Sequence, residues 1–180
     1  MSNSPLCCML RYSSLRALVP RLKMSDILED FMIVIAGDSH AGPALVRIRE
    51  FLENAGSAFE EFGYRDGENP SAKLEEFIPQ VARPVRDGEA TSGVLVCGTG
   101  AGVEIGANRF PGVRASLCMT PRSAEWARVY DDANVLCLSS WALDEIDLEK
   151  ILSSWYQASY DGDVARRAMF DAFDSWSVDA

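Results

Sequence analysis

From residue 31 onward, short runs of β-branched and apolar residues alternate with stretches whose apolar positions recur every three or four residues. Residues 31–37, FMIVIAG, have the unbroken apolar character of a strand buried on both faces. Residues 43–54 carry Leu45, Ile48, Phe51 and Leu52 on one helical face, and Gly56 stands where a helix ends. A shorter strand is predicted over 57–63 and a loop over 64–71. Helical spacing resumes over 72–86 with Leu74, Phe77, Ile78, Val81 and Val85 inward; Pro79 and Pro84 interrupt it, predicting a kink or two shorter helices. A third strand over 92–98 leads into a helix over 101–108. Pro111 and Gly112 mark the turn before a fourth strand over 112–118. Residues 121–130 form a helix with Pro121 in its first turn, where a missing N–H costs nothing. The fifth strand covers 133–139, and helices over 144–160 and 164–176 complete the pattern. The reading is α/β: an open, five-stranded parallel sheet with right-handed crossovers and helices on both faces, in one domain over 24–180.

Composition agrees with that reading. Of 180 residues, 48% are apolar and 24% charged, enough to bury a core and too apolar for a disordered chain. No run approaches eighteen apolar residues, so no membrane span is expected. The formal charge of −10 argues against a nucleic-acid surface. It is unevenly spread: residues 1–23 hold Arg11, Arg16, Arg21 and Lys23 with no acid, leaving 13 bases against 27 acids in the rest, a net of −14. This basic head, expected to be disordered, reads as an organellar targeting peptide or as a leader translated from too early a start, with a further methionine at Met24. Cys7 and Cys8 lie in it. Cys97, Cys118 and Cys137 sit in or at the ends of apolar runs without metal-ligand spacing, so neither a disulfide framework nor a metal site is expected, and the setting is reducing, cytoplasmic unless the head targets an organelle.

Ligands of open parallel sheets gather at the carboxyl ends of the strands. Three loops there carry chemistry: 37–42, 97–102 and 118–122. Cys97 ends a strand and is followed by Gly98, Thr99, Gly100, Ala101 and Gly102, which open a helix. A thiol beside a cluster of backbone N–H groups is the setting of reactive cysteines, and alternate glycines let the backbone wrap an oxyanion or a phosphate. Such a thiol can attack a carbonyl or remove a proton beside one. A cysteine at a strand end is otherwise a small hydrophobe. The spacing is not the dinucleotide fingerprint, which needs GxGxxG after the first strand. His40 is the only histidine, and Asp38 and Ser39 beside it are equally good helix caps. A thiol-dependent hydrolase is disfavoured because no acid is evidently placed to orient His40.

The stretch GVLVCGTGAGVEIGANRFPGVRASLC over 93–118 and DDANVLCL over 131–138, with SHAG from Ser39 and ARR from Ala165, resemble the sugar-phosphate isomerase family of type B ribose-5-phosphate isomerase and the galactose-6-phosphate isomerase subunits. The resemblance covers 32–167. It implies a Rossmann-like α/β/α fold, a homodimer or dimer of dimers with active sites between subunits, and aldose–ketose isomerisation through a cis-enediol without metal or other cofactor. On it, Cys97 is the base, and Thr99 with the amides of Gly98, Gly100 and Gly102 holds the enediolate. Asp38, Ser39, His40, Asn108, Asp131 and Arg167 become substrate contacts. Other positions depart: acid and hydroxyl are exchanged at Asp38 and Ser39, the ring-opening histidine falls at Met119, an amide becomes Asp131, and two expected arginines fall at Trp141 and about Asp163. The expected substrate is therefore a small, open-chain or less anionic sugar rather than ribose 5-phosphate. The competing reading is a descendant that binds a sugar or a partner without turnover.

Overall fold

The computed structural model describes residues 32–65 and 68–176; the basic head at 1–23 lies outside them. Five strands, β1 (Ile33–Gly37), β2 (Phe59–Gly63), β3 (Ser92–Cys97), β4 (Ala115–Leu117) and β5 (Val135–Ser139), form one wholly parallel sheet in the order β2-β1-β3-β5-β4. Six helices connect and follow them: α1 (Gly42–Ala55), α2 (Leu74–Asp87), α3 (Ala101–Ala107), α4 (Pro121–Val129), α5 (Leu148–Gln157) and α6 (Val164–Asp174).

Alternate strand residues supply two cores, as the two-residue period of a strand requires. Ile33, Ile35, Val94, Val96, Leu136 and Leu138 pack under α1, α4 and α5. Val34, Ala36, Leu95, Cys97, Val135 and Cys137 pack under α2 and α3. The result is the three-layer α/β/α, Rossmann-like arrangement expected from the sequence.

Three local expectations are corrected. Residues 72–86 do not form two shorter helices: α2 is one helix with Pro79 and Pro84 inside it, ending at Gly88 in the left-handed region. Each proline removes a hydrogen bond to the carbonyl four residues back. Those carbonyls belong to exposed Glu75 and Gln80, which solvent can reach in place of the lost donor, while buried Phe77, Ile78, Val81, Ala82 and Val85 hold the helix down. The fourth strand is short, because Asn134 bridges its entry by accepting from Arg114 N and donating to Gly112 O. The helix expected over 144–160 starts only at Leu148, where the Asp147 carboxylate caps it by accepting from Lys150 N at 3.1 Å.

The sheet order decides where a site can form. The chain steps from β1 outward to β2, then returns past β1 to β3, so the crossovers diverge between β1 and β3. The loops leaving these adjacent strands therefore flank one crevice, with the loop leaving β5 beside them.

Candidate active site

Cys97 is the last residue of β3 and is 4% exposed. Its Sγ turns toward α2 and α3 and accepts a hydrogen bond from Gly100 N at 3.2 Å. The loop beyond it is shaped by two glycines. Gly100 has φ +76°, and a Cβ there would meet Leu117 Cδ1 at 2.5 Å. A Cβ on Gly98 would fall 2.6 Å from Cε2 of the Trp141 indole. A Cβ on Gly102 would meet Leu74 Cδ2 at 2.8 Å and lie 3.9 Å from Sγ. Thr99 is exposed between buried Gly98 and Gly100, at the mouth of the loop.

The loop leaving β5 clamps this one. Buried Ser139 donates from Oγ to Gly98 O at 2.8 Å, Ser140 donates from N to Cys97 O at 3.0 Å, and Trp141 N donates to Gly98 O at 3.0 Å. The sequence reading had Trp141 only as a departure at an expected arginine and missed the two serines, whose one signal was their closing an apolar strand. Glu104, in the first turn of α3, is also structural: its Oε1 accepts from Leu117 N at 2.9 Å and pins the end of β4.

On the β1 side, Asp38 is buried and turned back on its own loop. Its Oδ1 accepts from His40 N at 2.9 Å, and Oδ2 lies 3.5 Å from His40 Nδ1. This Asx turn corrects two expectations. Asp38 does not cap α1, whose cap position is Ala41 without a side-chain bond, and an acid is placed to orient His40. Ser39 is exposed beside it. His40 meets the indole of Trp141 edge-on, ring centres 5.7 Å apart at 89°. Cys97, Gly98, Thr99, Gly100, Gly102, Asp38, Ser39 and His40 are thus gathered at one edge of the sheet.

Asn108, Asp131 and Arg167 are elsewhere. Asn108 ends α3 and ties it to β4, donating to Ala115 O at 2.9 Å and accepting from Ala115 N at 2.8 Å. Asp131 is exposed in the turn before β5 and lines, with Arg109, Arg114 and Phe173, a cavity of about 950 Å³. Arg167 pairs with Asp132 and lies 4.9 Å over the Tyr160 ring. Arg114 holds the same Asp132 carboxylate at 2.7 Å. All lie toward the amino edge of the sheet. Gly93 faces Val135 there while Cys97 faces Ser139 at the other edge, a separation of about 13 Å at about 3.3 Å per residue. Arg128 is turned inward over Trp155. Met119 is partly exposed just beyond β4.

Burial pushes the Cys118 thiol up and the Cys137 thiol well up, and both are packed in the core. Among the described residues, no group of three or more His, Cys, Asp or Glu side chains could hold a metal ion.

The ribose/galactose isomerase family model matches residues 33–170. The chain belongs to that family. Its members among similar proteins include ribose-5-phosphate isomerase B of Escherichia coli (strain K12), 41% identical over 86 residues, 48% of this chain and 58% of that one. The D-erythrulose-4-phosphate isomerase of Pectobacterium atrosepticum is 31% identical over 131 residues, 72% of this chain and 85% of that enzyme. The 4-deoxy-4-sulfo-D-erythrose isomerase of a Clostridium strain is 34% identical over 113 residues, 62% and 70% of the two chains. Matched stretches thus range from just over half to most of these relatives' lengths. Among solved structures, ribose-5-phosphate isomerase B of Clostridium thermocellum superposes with a TM-score of 0.73 at 28% identity, over 81% of this chain and 97% of that one. The Mycoplasma genitalium enzyme with bound ribulose-5-phosphate gives 0.72 at 30%, over 83% and 98%. Members of the ribose/galactose isomerase family are aldose–ketose isomerases of sugars, and the fold is theirs. No helix among the described residues is long and apolar enough to cross a membrane.

Proposed function

We propose that this chain isomerises a small aldose to the corresponding ketose, with a four-carbon, open-chain sugar derivative as substrate and Cys97 as the base. The Cys97 thiolate takes the proton from C2. The electrons of that bond form the C1–C2 double bond as the carbonyl becomes the enediolate oxygen. The hydroxyl proton passes from O2 to O1, and the thiol returns its proton to C1. The amides of Gly98 to Gly102 and the Thr99 hydroxyl hold the enediolate oxygen, and Asp38 orients His40 against the substrate. No step uses a metal.

The observation that carries this reading is the contact of Cys97 Sγ with Gly100 N–H at the crevice between β1 and β3. Met119 supports the four-carbon substrate. A tetrose blocked at C4 has no hydroxyl with which to close a five-membered ring, so no ring-opening acid–base group is required. The named activities of the Pectobacterium and Clostridium relatives on four-carbon substrates favour the same class. We further propose that a second copy of the chain completes the site, bringing its Asn108, Asp131 and Arg167 side toward the partner's Cys97 loop. A reducing compartment suits an unpaired Cys97.

The test is turnover of aldotetrose, pentose and hexose phosphates and of the free sugars by the wild type and by Cys97→Ser and Cys97→Ala. Loss of at least about a thousandfold in kcat is expected for Cys97→Ala on the best substrate. A wild type that turns over a substrate and keeps its rate without the thiol overturns the mechanism. The second reading, sugar binding without turnover, is favoured by Met119 and Trp141 and predicts calorimetric binding with no product on the whole panel.

A further inference from the structure

We infer that His40 carries the hydroxyl proton from O2 to O1 of the enediol, with Asp38 as the residue that positions it. The inference rests on the isomerase reading of the site and assigns the one proton transfer in it that Cys97 does not perform. Register places the pair. Gly37 of β1 faces Val96 of β3, and Asp38 N continues the ladder by donating to Val96 O at 3.2 Å. Asp38 therefore stands beside Cys97, with about 4.8 Å between the two backbones. The two-residue period that turns Val34, Ala36, Leu95 and Cys97 to one face of the sheet turns Asp38 the same way, and it is buried there.

The carboxylate fixes the imidazole at two points. Its Oδ1 accepts from His40 N at 2.9 Å, and its Oδ2 faces Nδ1 at 3.5 Å. The Trp141 indole, which overhangs Gly98, meets the ring edge-on. With Nδ1 toward Asp38, Nε2 is the free nitrogen, and the side chain is 56% exposed on a loop that flanks the crevice. A two-carbon fragment with its oxygens needs about 3–3.5 Å from Sγ to carbon and about 2.6–3.2 Å from oxygen to nitrogen, a span of the same scale as the one-strand offset between Cys97 and Asp38. Other side chains at this edge do not serve. Glu104 is engaged by Leu117 N, and the Met119 thioether has no proton to give.

The ring enters as imidazolium, with the Asp38 carboxylate as its counter-charge. After Cys97 has removed the C2 proton, Nε2–H protonates the enediolate oxygen O1; the N–H bond breaks, an O1–H bond forms, and the ring is left neutral. Nε2 then takes the proton from O2. The electron pair of that O–H bond forms the C2 carbonyl, and the C1–C2 double-bond pair takes up the thiol's proton at C1. His40 and Cys97 both end as they began, so the cycle needs no further reactant. Without the relay the enediolate keeps its O2 proton and returns to aldose by reprotonation at C2. The rival relay is Asp131, exposed in this chain and brought to the same loop by the second copy.

The test is how the enediolate partitions in deuterium oxide, run on D-erythrose 4-phosphate and, failing turnover, on the other aldoses of the panel. Deuterium at C2 of recovered aldose is read by mass spectrometry against ketose formed. His40→Gln keeps a donor to oxygen but cannot pass a proton on. It is expected to raise the ratio of exchange to isomerisation at least about tenfold while kcat falls about a hundredfold. Asp38→Asn keeps an acceptor for His40 N, and so the turn, and is expected to move the ratio the same way by about threefold. A side chain that only contacts substrate would instead raise KM and leave the ratio alone. A wild-type ratio in either variant overturns the proposal, as does equal loss of exchange and isomerisation in a His40→Gln that melts like the wild type. A ratio that rises in Asp131→Asn but not in His40→Gln gives the relay to the second copy and overturns it too. A wild type with neither exchange nor turnover on the whole panel refutes the isomerase reading and the relay with it, whereas turnover with unchanged partition refutes the relay alone.

Discussion

Gly100 concentrates the demands of the site in one residue. Its φ of +76° belongs to the left-handed region, and the space where a Cβ would sit is filled by Leu117 Cδ1 at 2.5 Å and by the Leu138 carbonyl carbon at 3.0 Å. Its N–H is the donor to Cys97 Sγ. Gly100→Ala is therefore expected to lose about 1–3 kcal/mol of stability, read by urea unfolding, because it combines backbone strain with an overlap against packed neighbours. A variant as stable as the wild type would show that the loop relaxes without cost. This residue was legible in the sequence, because alternate glycines directly after a strand already imply a backbone bent around something. The pairing of Asp38 with His40 was not. Whether an aspartate two residues before another residue caps a helix or folds back in an Asx turn depends on where the helix begins, and here it begins after Ala41. Trp141 was visible only as an anomaly, since its contact with Gly98 joins loops from two strands whose adjacency the chain pattern does not encode.

At the scale of elements, hydrophobic periodicity identified the five strands and six helices of the described residues, because each element buries one face or two and the spacing of apolar residues records that directly. It failed where local propensity and tertiary burial pull in opposite directions. Pro79 and Pro84 read as breaks, yet α2 runs through both, held by five buried side chains. The physical consequence is a helix carrying a local penalty that packing overrides. Pro79→Ala restores a donor for the Glu75 carbonyl and removes the ring's clash, so it is expected to stabilise the protein by about 1–2 kcal/mol. The gain falls short of the full helix-propensity difference because Pro79 is half-buried and some of its packing is lost. A rise of several degrees in the melting temperature with unchanged activity is the expected result. A fall would mean that the proline ring's packing outweighs the backbone term. The length of β4 was equally beyond pattern reading, since Arg114 enters the bridge with Asn134 instead of continuing the strand.

At the scale of the whole molecule, the sequence placed all the candidate contacts in one list, but the sheet divides them between two edges. Strand order accounts for the division: the Cys97 loop leaves the carboxyl end of β3, whereas Asp131 and Arg167 lie by the amino end of β5. A single chain cannot bring them together without unmaking the sheet. If both groups serve one reaction, two copies must meet with the carboxyl edge of one against the amino side of the other, and a two-fold axis then makes two equivalent sites. Cys97→Ala and Asp131→Ala are each expected to be inactive as pure proteins. Mixed in equal amounts and allowed to exchange subunits, they are expected to recover about a quarter of the wild-type activity, since half the dimers are mixed and one of the two sites in each is intact. Recovery should follow the rate of subunit exchange and disappear when the subunits are cross-linked before mixing. A mixture that stays inactive although mass spectrometry detects mixed dimers would confine each site to one chain, leaving Asp131 and Arg167 to the packing of α6 against the turn before β5.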